Sequence, residues 1–186
     1  MNETLNTLLN RRSIRAYKQD QIKDEDLQTI LKAGLFAPSA MNQQSWHFTV
    51  IQNEETLHKI NEVSRTILQK SGNKNLEERA KSEKFSLFYN APTLIIVSGS
   101  EKAIAPQIDC AVALENMFLA ATSLDIGSCW IHGVTSFSNT EEGKALLKEL
   151  GIPEDYNVIG SGAFGYKATE APNAAPRKEN TVTIIK

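Results

Sequence analysis

Along this chain, apolar residues recur at helical spacing in some stretches and crowd into unbroken runs in others. That alternation predicts the elements. Leu5, Leu8 and Leu9 share one face of a short helix over residues 3–10, and the run RRSIRAYK follows as a loop or short extended piece. Residues 24–34 form a second helix: Leu27, Ile30 and Leu31 repeat at its spacing, acidic residues fill its first turn, and Gly34 and Pro38 end it. The stretch APSAMNQQS is turn-rich, and residues 46–52 (WHFTVIQ) read as a strand. Residues 54–70 are helical, SGNKN breaks the pattern, and residues 76–89 are helical again and highly charged. After Asn90-Ala91-Pro92, the continuous apolar run TLIIVSG has the length of a strand buried on both faces.

Residues 106–124 are the most apolar segment, yet they contain Asp109, Glu115 and Asn116, which a membrane span would not carry readily. The segment is therefore expected to be a central helix buried in protein, either in a monomer core or at a dimer interface. Its small residues (Ala111, Ala113, Ala120, Ala121) allow close approach. Residues 127–134 form a strand leaving into a glycine turn, a helix runs from Ser138 to Leu150, and residues 157–165 form a glycine-rich strand. A loop over residues 167–178 precedes a short β-type segment, TVTIIK, which needs a sheet edge in its own subunit or a neighbour. There are no repeats and no linker, so residues 1–186 read as one α/β domain.

Composition narrows the classes. Hydrophobic residues are 41% and charged residues 23%, a globular balance. A net charge of -2 gives no field favouring nucleic acid or an anionic membrane. Cys110 and Cys129 make neither a disulfide framework nor a metal-ligand pattern. Residues 1–10 lack a basic region and a long apolar core, so a cytoplasmic protein is expected.

Arginine is distributed unevenly. Three of the six (Arg11, Arg12, Arg15) sit within five residues, the others being Arg65, Arg79 and Arg177, while the 14 lysines are scattered. Such a cluster on a mildly acidic chain suggests one small anionic ligand, because guanidinium forks match phosphate or carboxylate. Other chemistries find little support. Neither Ser39 nor Ser45 lies on a G-x-S-x-G elbow, His47, His58 and His132 are not at metal-ligand spacing, and there is no P-loop. Gly160–Gly165 has the outline of G-x-G-x-x-G but no helix follows it.

Arg11-Arg12-Ser13-Ile14-Arg15, then Ala37-Pro38-Ser39-Ala40-Met41-Asn42-Gln43-Gln44-Ser45-Trp46-His47-Phe48, closely resembles the nitroreductase family, with its R-[RH]-S-x-[RK] and P-S-x-x-N-x-Q-P-W-x-F elements. Residues 120–133 (AATSLDIGSCWIHG), then Gly165-Tyr166 and Pro176-Arg177-Lys178, are similar to the family's later elements, in the same order. The resemblance implies an α+β three-layer sandwich with a mixed central sheet flanked by helices. It also implies an intertwined homodimer whose C-terminal strand is exchanged to the partner sheet, with FMN at the interface. Arg11, Arg12 and Ser13 would then hold the FMN phosphate, with Arg177 and Lys178 returning to it, and Arg15 would lie nearer the ribityl chain and the pyrimidine edge. A cation there stabilises the reduced ring. Pro38, Ser39, Asn42 and Gln44 would reach FMN from the other subunit, and Ile131, His132 and Gly133 would form the turn beside the ring, the Gly133 N–H donating to N5.

The implied activity is NAD(P)H-dependent reduction of nitroaromatic, quinone or similar electron-poor small molecules by ping-pong hydride transfer. The chemistry rests on FMN, so no protein group is named as catalytic, and no metal is expected. Lys84, or Lys81, is the position expected to meet the phosphates of NADH or NADPH. A flavin storage or sensor protein without NAD(P)H turnover, or a member catalysing dehydrogenation, would carry the same motifs. This sequence departs from the pattern at Ser45 (usually Pro) and Asp125 (usually Gly), where altered loop stiffness is expected, and at His132 (often Glu or Gly). It also lacks the long inserted helices that cover the flavin in larger relatives.

Overall fold

The strand Thr93–Ser100 organises the molecule, because almost every residue in it is buried. Its side chains alternate between two cores. Leu94 and Ile96 enter one and Ile95 and Val97 the other, so a run with no polar face requires cover on both sides. The computed structural model describes residues 1–186 and supplies that cover. In chain order the elements are α1 (Glu3–Asn10), α2 (Asp24–Leu35), β1 (Trp46–Ile51), α3 (Glu54–Gln69), α4 (Lys74–Lys81), β2 (Thr93–Ser100), α5 (Pro106–Ser123), β3 (Ile126–Ile131), α6 (Glu141–Glu149) and β4 (Tyr156–Tyr166). Short 3-10 turns occupy Ala40–Asn42 and Gly133–Asn139.

The sheet order is β1-β2-β4-β3. Residues of α3, α4 and α6 pack on one face, and those of α2 and α5 on the other. The α+β three-layer expectation is thus borne out. The sheet itself is a correction: every strand pairing is antiparallel, and the one parallel contact is an isolated bridge between Ser13 and Ser128. The connections explain this, since each neighbouring strand pair is entered from opposite ends.

Local chemistry sets the helix starts. Asn53 caps α3 by accepting the Thr56 N–H at 2.9 Å, and Thr140 caps α6 by accepting that of Gly143 at 3.1 Å. Pro106 opens α5, where a missing N–H costs nothing. α5 buries Asp109, Cys110, Ala113, Leu114, Met117, Phe118 and Ala121, yet Ile108 on its other side is 66% exposed.

Three expectations need correction. The helix expected over residues 76–89 stops at Lys81. Phe85, Ser86, Leu87 and Phe88 are all buried, and no helix can point four consecutive side chains into one core. The strand expected over 127–134 ends at Ile131, and the helix expected from Ser138 starts at Glu141, because a 3-10 turn lies between them. TVTIIK forms no strand within the single chain: every residue from Ala168 to Lys186 is exposed, Ile185 at 94%.

Candidate functional site

The arginine cluster stands where α1 ends and the chain meets β3. Ile14 N–H donates to Ser128 O at 2.9 Å, Lys18 N–H to Tyr166 O at 2.9 Å, and Ala168 N–H to Ala16 O at 3.0 Å. Tyr17 is buried beneath and donates its hydroxyl proton to Ile14 O at 2.6 Å. Residues 13–18 are therefore clamped along the ends of β3 and β4, and Arg15 projects from a fixed backbone.

Each guanidinium has a different partner. Arg11 Nε lies 3.4 Å from Glu115 Oε1 on α5. Arg12 Nη1 donates at 2.7 Å to the carbonyls of Leu9 and Arg11, satisfying acceptors at the C-terminal end of α1. Arg15 lies 5.8 Å above the centroid of the Tyr89 ring. Of the three cations only Arg11 pairs with a carboxylate, and neither Arg12 nor Arg15 has an acidic partner. The surplus matches a phosphate monoester, which carries about -1.5 to -2 near neutral pH.

No activated nucleophile accompanies this charge. Burial pushes the Cys129 thiol up, against the opposing pull of Arg15, Ser13 and Arg11. Burial also pushes the Tyr17 hydroxyl up. Both groups are neutral at pH 7, and no group of three or more His, Cys, Asp or Glu side chains is arranged to hold a metal ion.

The turn after β3 is the second part. Ile131 is buried and its carbonyl accepts the Ser161 hydroxyl at 3.2 Å. His132 is exposed, with its side chain outside the core. Gly133 opens the short 3-10 helix, so its N–H is not used within that helix. A Cβ at Gly133 would fall 2.5 Å from Leu87 Cδ1, so any larger residue here would have to displace that methyl.

The loop from Pro38 to Gln44 is the third. Met41, Asn42 and Gln44 all hold left-handed backbone, with φ of 51°, 54° and 48°. Internal bonds oppose that strain: Gln44 N–H donates to Ser39 Oγ at 3.0 Å, and Gln44 Nε2 to Asn42 Oδ1 at 3.1 Å. Two anchors come from α5, where the 3% exposed Asp109 accepts the Ala40 N–H at 3.0 Å and the Ser45 hydroxyl at 3.1 Å. Asp109 was visible in the sequence only as an acid on an apolar helix, and this is its role. Ser45 corrects the expectation of altered stiffness alone, since it is a buried donor to that carboxylate. Asp125, where the family pattern has Gly, holds φ of 59° and pairs with Lys167. Aspartate tolerates that left-handed conformation better than most side chains.

Not all candidate residues meet. No hydrogen bond or ion pair joins Pro38–Gln44 to the arginine cluster. Arg177 and Lys178 are exposed on the departing tail, and the only hydrogen bond of the Arg177 guanidinium is to Ala175 O at 3.3 Å. Lys84 lies on an exposed turn instead of a helix, and Lys81 is engaged with Glu78 at 2.6 Å. Two clefts of about 410 and 390 Å³ contain none of the candidate residues.

Compared with known proteins, residues 8–166 match the sequence profile of the nitroreductase family. The chain belongs to the nitroreductase family. A nitroreductase from Bacteroides fragilis, solved with bound FMN, is 45% identical, superposes with a TM-score of 0.95 and covers 100% of both chains. One from Desulfitobacterium hafniense, also with FMN, is 30% identical with a TM-score of 0.88, again over 100% of both chains. An NADPH-flavin oxidoreductase from Vibrio harveyi is 30% identical over 99% of this chain and 73% of its own length. No helix of the structure is long and apolar enough to cross a membrane.

Proposed function

We propose that this member of the family is an FMN-dependent NAD(P)H oxidoreductase that reduces nitroaromatics, quinones or similar electron-poor small molecules in ping-pong order. The observation that carries this reading is the cluster Arg11, Arg12 and Arg15, three cations of which only Arg11 has a carboxylate partner. Its donor set fits FMN. Arg11, Arg12 and the Ser13 hydroxyl would hold the phosphate, and Arg15 would face the reduced ring. FMN, when bound, would supply the hydride-transfer chemistry between NAD(P)H and the acceptor.

The chain's own groups bind and orient. The Gly133 N–H, free at the start of its short helix, would fix the ring edge, with buried Ile131 close by in the chain. His132 acts through its backbone. The strained loop of Pro38, Ser39, Asn42 and Gln44 offers amides to the ring carbonyls. That loop and the cluster do not meet within one chain, and the tail carrying Arg177 and Lys178 leaves the body. Exposed Ile104, Ile108, Val182, Ile184 and Ile185 would be covered by the same partner, a second copy of this chain. The proposed unit is therefore a homodimer of single-domain chains with exchanged C-terminal segments, and Lys84 at its surface would meet the dinucleotide's phosphates.

The purified protein should be yellow, release FMN on denaturation, and oxidise NADH or NADPH when a nitroaromatic or quinone is supplied. Replacing both Arg11 and Arg12 by Ala removes contacts worth roughly 1.5–3 kcal/mol each and should weaken FMN binding by about a hundredfold or more. Retained stoichiometric FMN in that variant would sink the phosphate assignment. Bound FMN without NAD(P)H turnover would instead mark a storage or sensor protein. Deleting residues 169–186 should yield monomers by analytical ultracentrifugation.

A further inference from the structure

The irregular segment between α4 and β2 touches two parts of the site at once. Leu87 fills the space beside Gly133, and Tyr89 lies under Arg15. The segment is held from several directions. Arg65 stands 5.1 Å and Arg79 5.9 Å over the Phe85 ring, and Arg65 Nη1 also donates to the carbonyls of Ala80 and Ser82. Asn61 on α3 grips the middle, donating to Phe85 O at 3.1 Å and accepting the Leu87 N–H at 2.9 Å. At the far end, Asn90 N–H donates to Ser86 Oγ at 2.8 Å and Gln19 Nε2 to Asn90 O at 3.3 Å.

This grip forces an unfavourable backbone. Tyr89 and Asn90 both adopt left-handed φ, 58° and 54°. Asparagine tolerates this, but a bulky aromatic residue there is an outlier that persists only when its surroundings over-determine it. The strained turn aims the ring face of Tyr89 at a guanidinium that has no carboxylate partner. Burial within the core requires no such ring orientation, whereas steadying a cation does.

We propose that Phe85–Asn90 is a strut coupling Gly133 to Arg15, and that Tyr89 is a positioning residue which holds the Arg15 guanidinium where it stabilises reduced FMN. The inference rests on the flavin reading above. Without the ring, Arg15 turns toward solvent, where its interaction with the reduced flavin is weaker. Oxidised FMN, held through its phosphate, would bind nearly as before.

The test is the two-electron midpoint potential of the FMN-loaded protein, measured by dye equilibration, together with the dissociation constant of oxidised FMN. Tyr89→Asn removes the ring while suiting left-handed backbone, so it keeps the fold. It should lower the preference for reduced over oxidised FMN about tenfold, a fall of about 30 mV for a two-electron couple. Tyr89→Phe keeps the ring face but loses the hydroxyl that also engages Arg15, and should give a potential between those of the wild type and Tyr89→Asn. Arg15→Gln should lower the potential too, and adding Tyr89→Asn to it should lower it no further. An unchanged potential in Tyr89→Asn, or an equal further fall in the Arg15→Gln background, overturns the strut. A protein that binds no FMN overturns the flavin reading as well, so the two failures are distinguishable.

Discussion

Replacing Asp109 by Ala takes away the carboxylate that ties the strained loop to α5. Both of its oxygens are used, one by the Ala40 N–H and one by the Ser45 hydroxyl. Hydrogen bonds to charged groups contribute about 1.5–3 kcal/mol each. Two considerations reduce that sum: Ala40 is only partly buried, so water can reach its N–H, and removing Asp109 also removes the cost of burying a charge. The buried Ser45 hydroxyl has no such relief. A net loss of about 2–4 kcal/mol follows, and at roughly 2–4 °C per kcal/mol for a domain of this size the Tm should fall by about 5–15 °C. Urea unfolding at pH 7 measures the free energy, and hydrogen exchange at Ala40–Gln44 reports whether the loop is released first. Asp109→Asn retains one acceptor and should lose about half as much. A loss below about 1 kcal/mol for Asp109→Ala, or an unchanged exchange rate in the loop, would refute the anchoring argument.

Other consequences can be measured directly. Gly133→Ala should cost about 1–3 kcal/mol by overpacking against Leu87, and Leu87→Ala in the same chain should recover part of it, as thermal melts of the single and double variants would show. Burial and, secondarily, the neighbouring Asp109 push the Cys110 thiol up to about 12. Between its ordinary value near 9 and about 12 the folded state binds the extra proton, so stability should be level below pH 9 and decline above it. Cys110→Ala should flatten that alkaline decline in urea titrations, and a persistent slope would assign it to other groups.

The elements that could be read from the chain are those whose own side chains state their surroundings. β2 announces burial on both faces by its unbroken apolar run, and α5 does so by length and small residues. The arginine cluster was legible because its residues are adjacent and share one chemistry. Asp109 was not, since its partners Ala40 and Ser45 lie 69 and 64 residues away. Residues 82–90 misled for a different reason. The charged stretch before them has helical character, and the four buried side chains that end it are dictated by Asn61, Arg65 and Gly133, distant in sequence. Tyr89 carries no motif at all, and its place under Arg15 arises only in the folded chain.

The tail beyond Lys167 is exposed along its whole length and carries Arg177 and Lys178. In the proposed dimer, where those two cations would complete the anion site of a neighbouring copy, occupancy by the coenzyme and self-association would be linked equilibria. Dilution should then bleach the protein, and added FMN should pull separated chains together again.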